Sequence, residues 1–77
     1  MLNKGLKLGK YRHYKGKDYE VIGVAKLESN LEDMVVYKPL YETEHKLWIR
    51  PLGVFTENIE IDGKIVPRYV YIGEVEP

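Results

Sequence analysis

The sequence predicts a mainly β protein, one small curled barrel of five or six short strands with at most one helical turn. Three observations carry that class. Apolar and polar residues alternate with a period near two through most of the chain, as in DYEV and NIEID, and that period belongs to strands rather than helices. β-branched and aromatic residues fill those segments, as pleated and half-buried surfaces require. Turn signals such as KGKD and IDGK separate them at short intervals. With 77 residues the chain forms a single domain over 1–77, near the lower size at which one apolar core suffices.

The elements follow in order. Lys10 to Tyr14 is a first strand, with Tyr11 and His13 on one face and Arg12 and Tyr14 on the other. Gly16 supplies the turn and Asp18 its exit, which makes a hairpin with the next strand. That strand, YEVIGVAKL, places Tyr19, Val21 and Ala25 on one face and Ile22 and Val24 on the other. A bulge at Gly23 curls the sheet. ESNLED then reads as a polar turn or one helical turn started by Ser29 or Asn30. MVVYKPLY is the third strand, where Pro39 removes a ladder donor and implies an edge position or a bulge. After the loop ETEH, KLWIRPL sets Leu47 and Ile49 opposite Trp48 and Arg50, and Pro51 ends the strand. GVFTEN forms one helical turn that packs Phe55 onto the barrel end. IEIDGKIV holds Asp62-Gly63 between alternating apolar residues, the strongest hairpin signal in the chain. RYVYI is the last strand, closing its own barrel or, as an edge, pairing with a second copy. Closure removes exposed edges and encloses one core, so an SH3-like barrel is the expected architecture.

Charge is balanced overall, with 12 basic and 12 acidic side chains, but unevenly placed. Lys4, Lys7, Lys10, Arg12, Lys15 and Lys17 all precede the first acid, Asp18. Without a net positive field to steer DNA or RNA, self-pairing and solvation of these cations rank ahead of a polyanion partner. The chain has no cysteine, which removes disulfides, thiolate nucleophiles and cysteine-held zinc and suits a reducing cytoplasm. The two histidines, His13 and His45, have no metal-ligand spacing, so neither metal nor cofactor is expected. No apolar run approaches the roughly 20 residues that span a bilayer, and lysines and glycines interrupt the leucines of MLNKGLKLGK as a signal region. The expectation is a cytoplasmic protein with no membrane partner, residues 1–8 being a basic segment free to be flexible.

Several blocks are characteristic when taken together: GKYRHYKGKDYEVIGVA, then LEDMVVYKPLY, then LWIRPLGVF and GKIVPRY. In that order, from about Gly9 to Ile72, they resemble the bacterial family known as domain of unknown function 1653. Its pattern has Tyr-x-His-aromatic-Lys-Gly near the start, Val-Val-Tyr-x-x-Leu-Tyr in the middle and Trp-x-Arg-Pro before a Phe. The resemblance implies an SH3-type barrel and brings no activity. Relatives often read Ala-x-His-Ser-Glu-Thr after the second strand, whereas AKLESN puts Leu27 in the histidine's place. The histidine of the first block is retained as His13.

No nucleophile, base and oxyanion donor stand in a recognisable spacing: nothing links Ser29 to either histidine, and no phosphate loop occurs. No catalytic residue is assigned and the protein is not expected to be an enzyme, although an unknown reaction is a third alternative. The informative set is aromatic and basic: Tyr11, Arg12, His13, Tyr41, Trp48 and Arg50, with Tyr14 and Tyr37 beside them. Rings stack on bases or peptide, and guanidinium planes bind phosphate or carboxylate. The same rings could instead fill a small core, and Arg50 could simply cover the Trp48 indole. The reading is a binding or interaction module, monomer or weak homodimer, that recognises a protein segment or small anionic ligand. Single-stranded nucleic acid, held by the basic segment and stacked on the aromatics, is the alternative.

Overall fold

The structure is a computed structural model that describes residues 2–3 and 5–75, so Lys4 of the basic segment lies outside the described residues. Two short strands, β1 (Leu2–Asn3) and β2 (Leu6–Lys7), pair in a ribbon. A meander follows: β3 (Gly9–His13), β4 (Asp18–Lys26), β5 (Asp33–Pro39) and β6 (Trp48–Pro51). One helical turn, α1 (Leu52–Phe55), and a second ribbon, β7 (Asn58–Ile61) with β8 (Lys64–Pro67), lead to β9 (Tyr69–Gly73). The sheet order is β6-β5-β4-β3-β9, antiparallel throughout. The last strand thus returns beside the first of the meander, as the SH3-like reading requires. Among the described residues the ladder ends at β6 and β9 rather than running round, and packing closes the gap: α1 carries Phe55 from β6 to stack on Tyr69 of β9.

The hairpin of β3 and β4 turns as expected. The backbone N–H of His13 donates to the Lys17 carbonyl and that of Gly16 to the His13 carbonyl, with Gly16 at φ 103°. Arg12 then faces Asp18 and Tyr11 faces Tyr19. Asp62 and Gly63, at φ 51° and 79°, close the β7–β8 hairpin with Ile61 opposite Lys64. Positive φ at both positions is what a two-residue hairpin with the right twist demands. That hairpin forms a ribbon of its own, outside the five-stranded sheet.

The expected bulge in β4 lies at Ile22, between the pairs Val21↔Tyr37 and Gly23↔Val36. Its effect on the faces differs from the one that simple alternation predicts. One extra residue shifts the alternation by one, so every later side chain changes face. Val24 pairs with Val35 and packs against the core, while Ala25 is exposed. Pro39 does not mark an edge strand: β5 is interior. The proline is tolerated because it follows the last pair with β6, Tyr37↔Trp48, where the strand is paired on one side only.

The core gathers Leu6, Tyr11, Val21, Val35, Tyr37, Phe55 and Tyr69, with Leu8, Tyr19, Val24, Leu52 and Tyr71 packed around it. Leu6 and Leu8 therefore tie residues 6–8, expected to be a flexible lead-in, onto the domain. Gly9 is required where β3 meets β9: its φ is +135°, and a Cβ there would lie 2.7 Å from the Gly73 carbonyl oxygen.

Candidate functional site

Cross-strand partners share a face, so the register decides which of the candidate residues meet. Tyr11 pairs with Tyr19 and Tyr71, His13 with Tyr69, Val35 with Arg50 and Tyr37 with Trp48. These residues all rise on the inner face of the curled sheet. Arg12 does not: it lies on the outer face, where Nε and Nη2 donate to the two carboxylate oxygens of Asp18 at 2.8 and 3.2 Å. That pair holds the Asp18 carboxyl below its usual range, first through the hydrogen bond from Arg12. Tyr11 is core, 6% exposed, its hydroxyl donating to the Lys7 carbonyl. Two of the six candidates thus leave the site, Arg12 to a surface ion pair and Tyr11 to the interior.

The other four remain at one end of the sheet, the end reached by the tip of the β3–β4 hairpin, the end of β5 and the starts of β6 and β9. Tyr37, 3% exposed, lies at the bottom. Its hydroxyl accepts from Nε of Arg50 and from the hydroxyl of Tyr69, each at 3.3 Å. The Arg50 guanidinium carbon lies 5.9 Å from the centroid of the Tyr69 ring. Tyr19 packs edge-on to both Tyr37 and Tyr69, and its hydroxyl is 3.0 Å from that of Tyr41. His13 meets Tyr69 edge-on at 4.9 Å and rests on Tyr14 at 4.4 Å. Trp48, 37% exposed, projects at the margin and packs on His45 at 4.8 Å rather than under Arg50. Beside Tyr41 lies an open cleft of about 350 Å³, lined in part by Pro39, Leu40, Thr43 and His45.

The electrostatics of this rim are one-sided. Burial pushes the Tyr69 hydroxyl up, helped by its bond to Tyr37, and does the same to Tyr19, helped by Tyr41, so both stay protonated. His13 is pushed down, first by burial and then by Arg50, Arg68 and Lys15, and so is held neutral. Its Nδ1 accepts the backbone N–H of Lys15 at 3.1 Å, which leaves the ring proton on Nε2. Arg12 has Asp18 and Arg68 has Glu57, but Arg50 is held by a phenol and, among the described residues, meets no carboxylate. Lys17 and Lys15 lie over the rings of Tyr41 and Tyr14, at 4.7 and 5.8 Å, likewise without an acidic partner among the described residues. Elsewhere the basic run pairs internally: Lys10 and Arg12 share Asp18, and Lys7 covers Tyr71.

Tyr19 and Tyr69 are central here and are not among the six candidates that the sequence offers. A signal for Tyr19 exists, since a short turn at Gly16 sets it opposite Tyr11. Tyr69 arrives by a long-range register that no local pattern encodes.

These features define a small, mainly β domain with one helical turn, its sheet curled over a tyrosine-rich interior that opens at one end. The chain belongs to the family described as Protein of unknown function (DUF1653), whose pattern it matches over residues 9–71. It is similar to the crystal structure of a DUF1653 protein from Bordetella bronchiseptica, at 32% identity and a TM-score of 0.87 over 99% of each chain. No curated protein matches it. Among the described residues no helix is long and apolar enough to cross a membrane.

Proposed function

We propose that this protein is a small cytosolic binding module whose inner rim, formed by His13, Tyr41, Trp48 and Arg50 on a bed of Tyr19, Tyr37 and Tyr69, recognises a protein segment or small anionic ligand. One observation carries the reading: Arg50 is half-buried and bound by tyrosine, and no carboxylate among the described residues neutralises it. A guanidinium in that position favours an anion strongly, because a partly dry surround raises the value of each charge-assisted hydrogen bond. The rings supply stacking area for whatever carries the anion.

The test follows Trp48, the single tryptophan, by fluorescence while short acidic peptides, carboxylates and phosphates are titrated up to millimolar concentrations. Binding that is lost in Arg50→Gln by this signal, and in Trp48→Ala when followed by calorimetry, with melting temperature little changed, is the expected result. No response across the panel in the native protein overturns the reading.

Single-stranded nucleic acid is the second reading, supported by Lys7, Lys15 and Lys17 placed over tyrosine rings. It requires an affinity that falls steeply as salt rises. Binding to short RNA or DNA that is insensitive to salt, or absent, removes it.

A further inference from the structure

The rim can be counted proton by proton. Tyr37, buried beneath the rim, accepts two hydrogen bonds, from Arg50 Nε and from Tyr69, and so orients the guanidinium above it. In the Tyr19–Tyr41 pair one hydroxyl donates to the other, which leaves the second hydrogen unspent. His13 offers Nε2–H, because Nδ1 is occupied by the backbone of Lys15. Arg50 has spent only Nε and keeps the N–H groups of both terminal nitrogens. What the rim offers a ligand is therefore a set of donor hydrogens. The charges beside them are mostly positive: Arg50, Lys15 and Lys17 have no carboxylate partner among the described residues, Arg68, which also acts on His13, is paired with Glu57, and the cleft beside Tyr41 holds Lys38 and Lys46 with one carboxylate, Glu42.

A surround rich in donors selects a ligand group that only accepts, and more than one unneutralised cation selects a group with more than one negative charge. A carboxylate satisfies the first requirement and carries one charge. A phosphate monoester satisfies both, with three acceptor oxygens and a charge of about −1.5 to −2 at neutral pH.

We infer that the rim formed by Arg50, His13 and the hydroxyls of Tyr19 and Tyr41 is a site for the dianionic phosphoryl group of a phosphate monoester. The organic part of the ester lies toward the cleft beside Tyr41, a mixed lining in which Pro39, Leu40 and His45 offer apolar and aromatic surface beside Lys38, Glu42, Thr43 and Lys46. This rests on the anion-binding reading above and sharpens it from any anion to one chemical class. The fit is charge first and shape second. A tetrahedral monoanion should therefore bind like a carboxylate, not like a phosphate.

Three probes of similar size separate these terms: phenyl phosphate, phenyl sulfate and benzoate, titrated calorimetrically into the full chain at pH 7.5 and constant ionic strength. Phenyl phosphate should bind at least tenfold more tightly than either monoanion. Arg50→Gln should weaken it at least tenfold, and the double variant Lys15→Gln/Lys17→Gln severalfold. Those two lysines are exposed, so the double variant keeps the test decisive if Arg50→Gln unfolds. If phenyl sulfate or benzoate binds as tightly as phenyl phosphate, the phosphate inference is overturned while anion binding stands. If phenyl phosphate binds equally well to the native chain and to both variants, the site lies elsewhere and the inference is wrong. If none of the three binds, the inference fails, and the acidic peptides of the preceding experiment then decide whether the broader reading fails with it.

Discussion

The ring of Phe55 lies flat on that of Tyr69, centroids 4.0 Å apart and planes 7° from parallel. The tyrosines around them meet edge to face, Tyr11 and Tyr37 on Phe55, Tyr19 and Tyr37 on Tyr69. This one stack joins the helical turn to the last strand across the gap between β6 and β9. It fastens the curl where no ladder among the described residues does so.

Phe55→Ala should accordingly cost about 3–5 kcal/mol, as expected for a fully buried phenylalanine. The loss should be visible as a lower urea midpoint. A cost near that of a surface substitution would mean that the curl is held by something other than this ring.

Tyr37 and Tyr69 should respond unequally to loss of a hydroxyl. Tyr69→Phe removes one donor from Tyr37, worth about 0.5–1.5 kcal/mol. Tyr37→Phe removes the acceptor for both Tyr69 and Arg50, leaving a buried hydroxyl and a half-buried guanidinium without it. The cost should be larger, about 1–3 kcal/mol. Denaturation of the two variants side by side checks the order.

His13 predicts how stability varies with pH. In the unfolded chain it titrates near its ordinary value of about 6.5. In the folded chain, burial together with Arg50, Arg68 and Lys15 pushes it lower. Between the two values the unfolded chain holds more protons, so stability rises with pH. The contribution is complete above about pH 6.5 and is lost as pH falls from there through the lower folded value. Urea midpoints from pH 8 to 5 should fall more steeply for the native protein than for His13→Gln; equal slopes would count against the placement of His13.

Gly9→Ala should be destabilising by an amount on the order of 1–3 kcal/mol, since it combines a strained φ with an approach of 2.7 Å to a backbone oxygen that cannot swing away. Gly53→Ala, where a Cβ meets nothing within 4 Å, provides the control. Similar melting temperatures for the two would mean that β3 and β9 can part at little cost.

Much of this fold is written locally. Asp62-Gly63 specifies its hairpin, Gly16 the first turn, and the alternation in KYRHY separates Arg12 from His13 within five residues. The site is legible only in part, because its members come together by register. Tyr69 reaches His13 through the pairing of β9 with β3, and Arg50 reaches Tyr37 through the pairing of β6 with β5. Neither pairing leaves a mark within a few residues of either partner. The faces of β4 are misread for the opposite reason: the bulge is visible at its glycine, but its effect on Val24 and Ala25 is a matter of counting parity beyond it.

That parity has a consequence for how the chain tolerates change in length. Ile22 acts as a frameshift within a single strand: odd-numbered residues, Tyr19 and Val21, are inward before it, and an even-numbered one, Val24, after it. Taking Ile22 into a regular ladder would turn Val24 outward and bring Ala25 in, emptying part of the core. Removing Ile22 altogether would leave Tyr19, Val21 and Val24 inward and take away only the local bend. The strand thus stores one residue of slack at a single point. It is there that an interior built from fixed side chains can meet a chain one residue longer than its ladder.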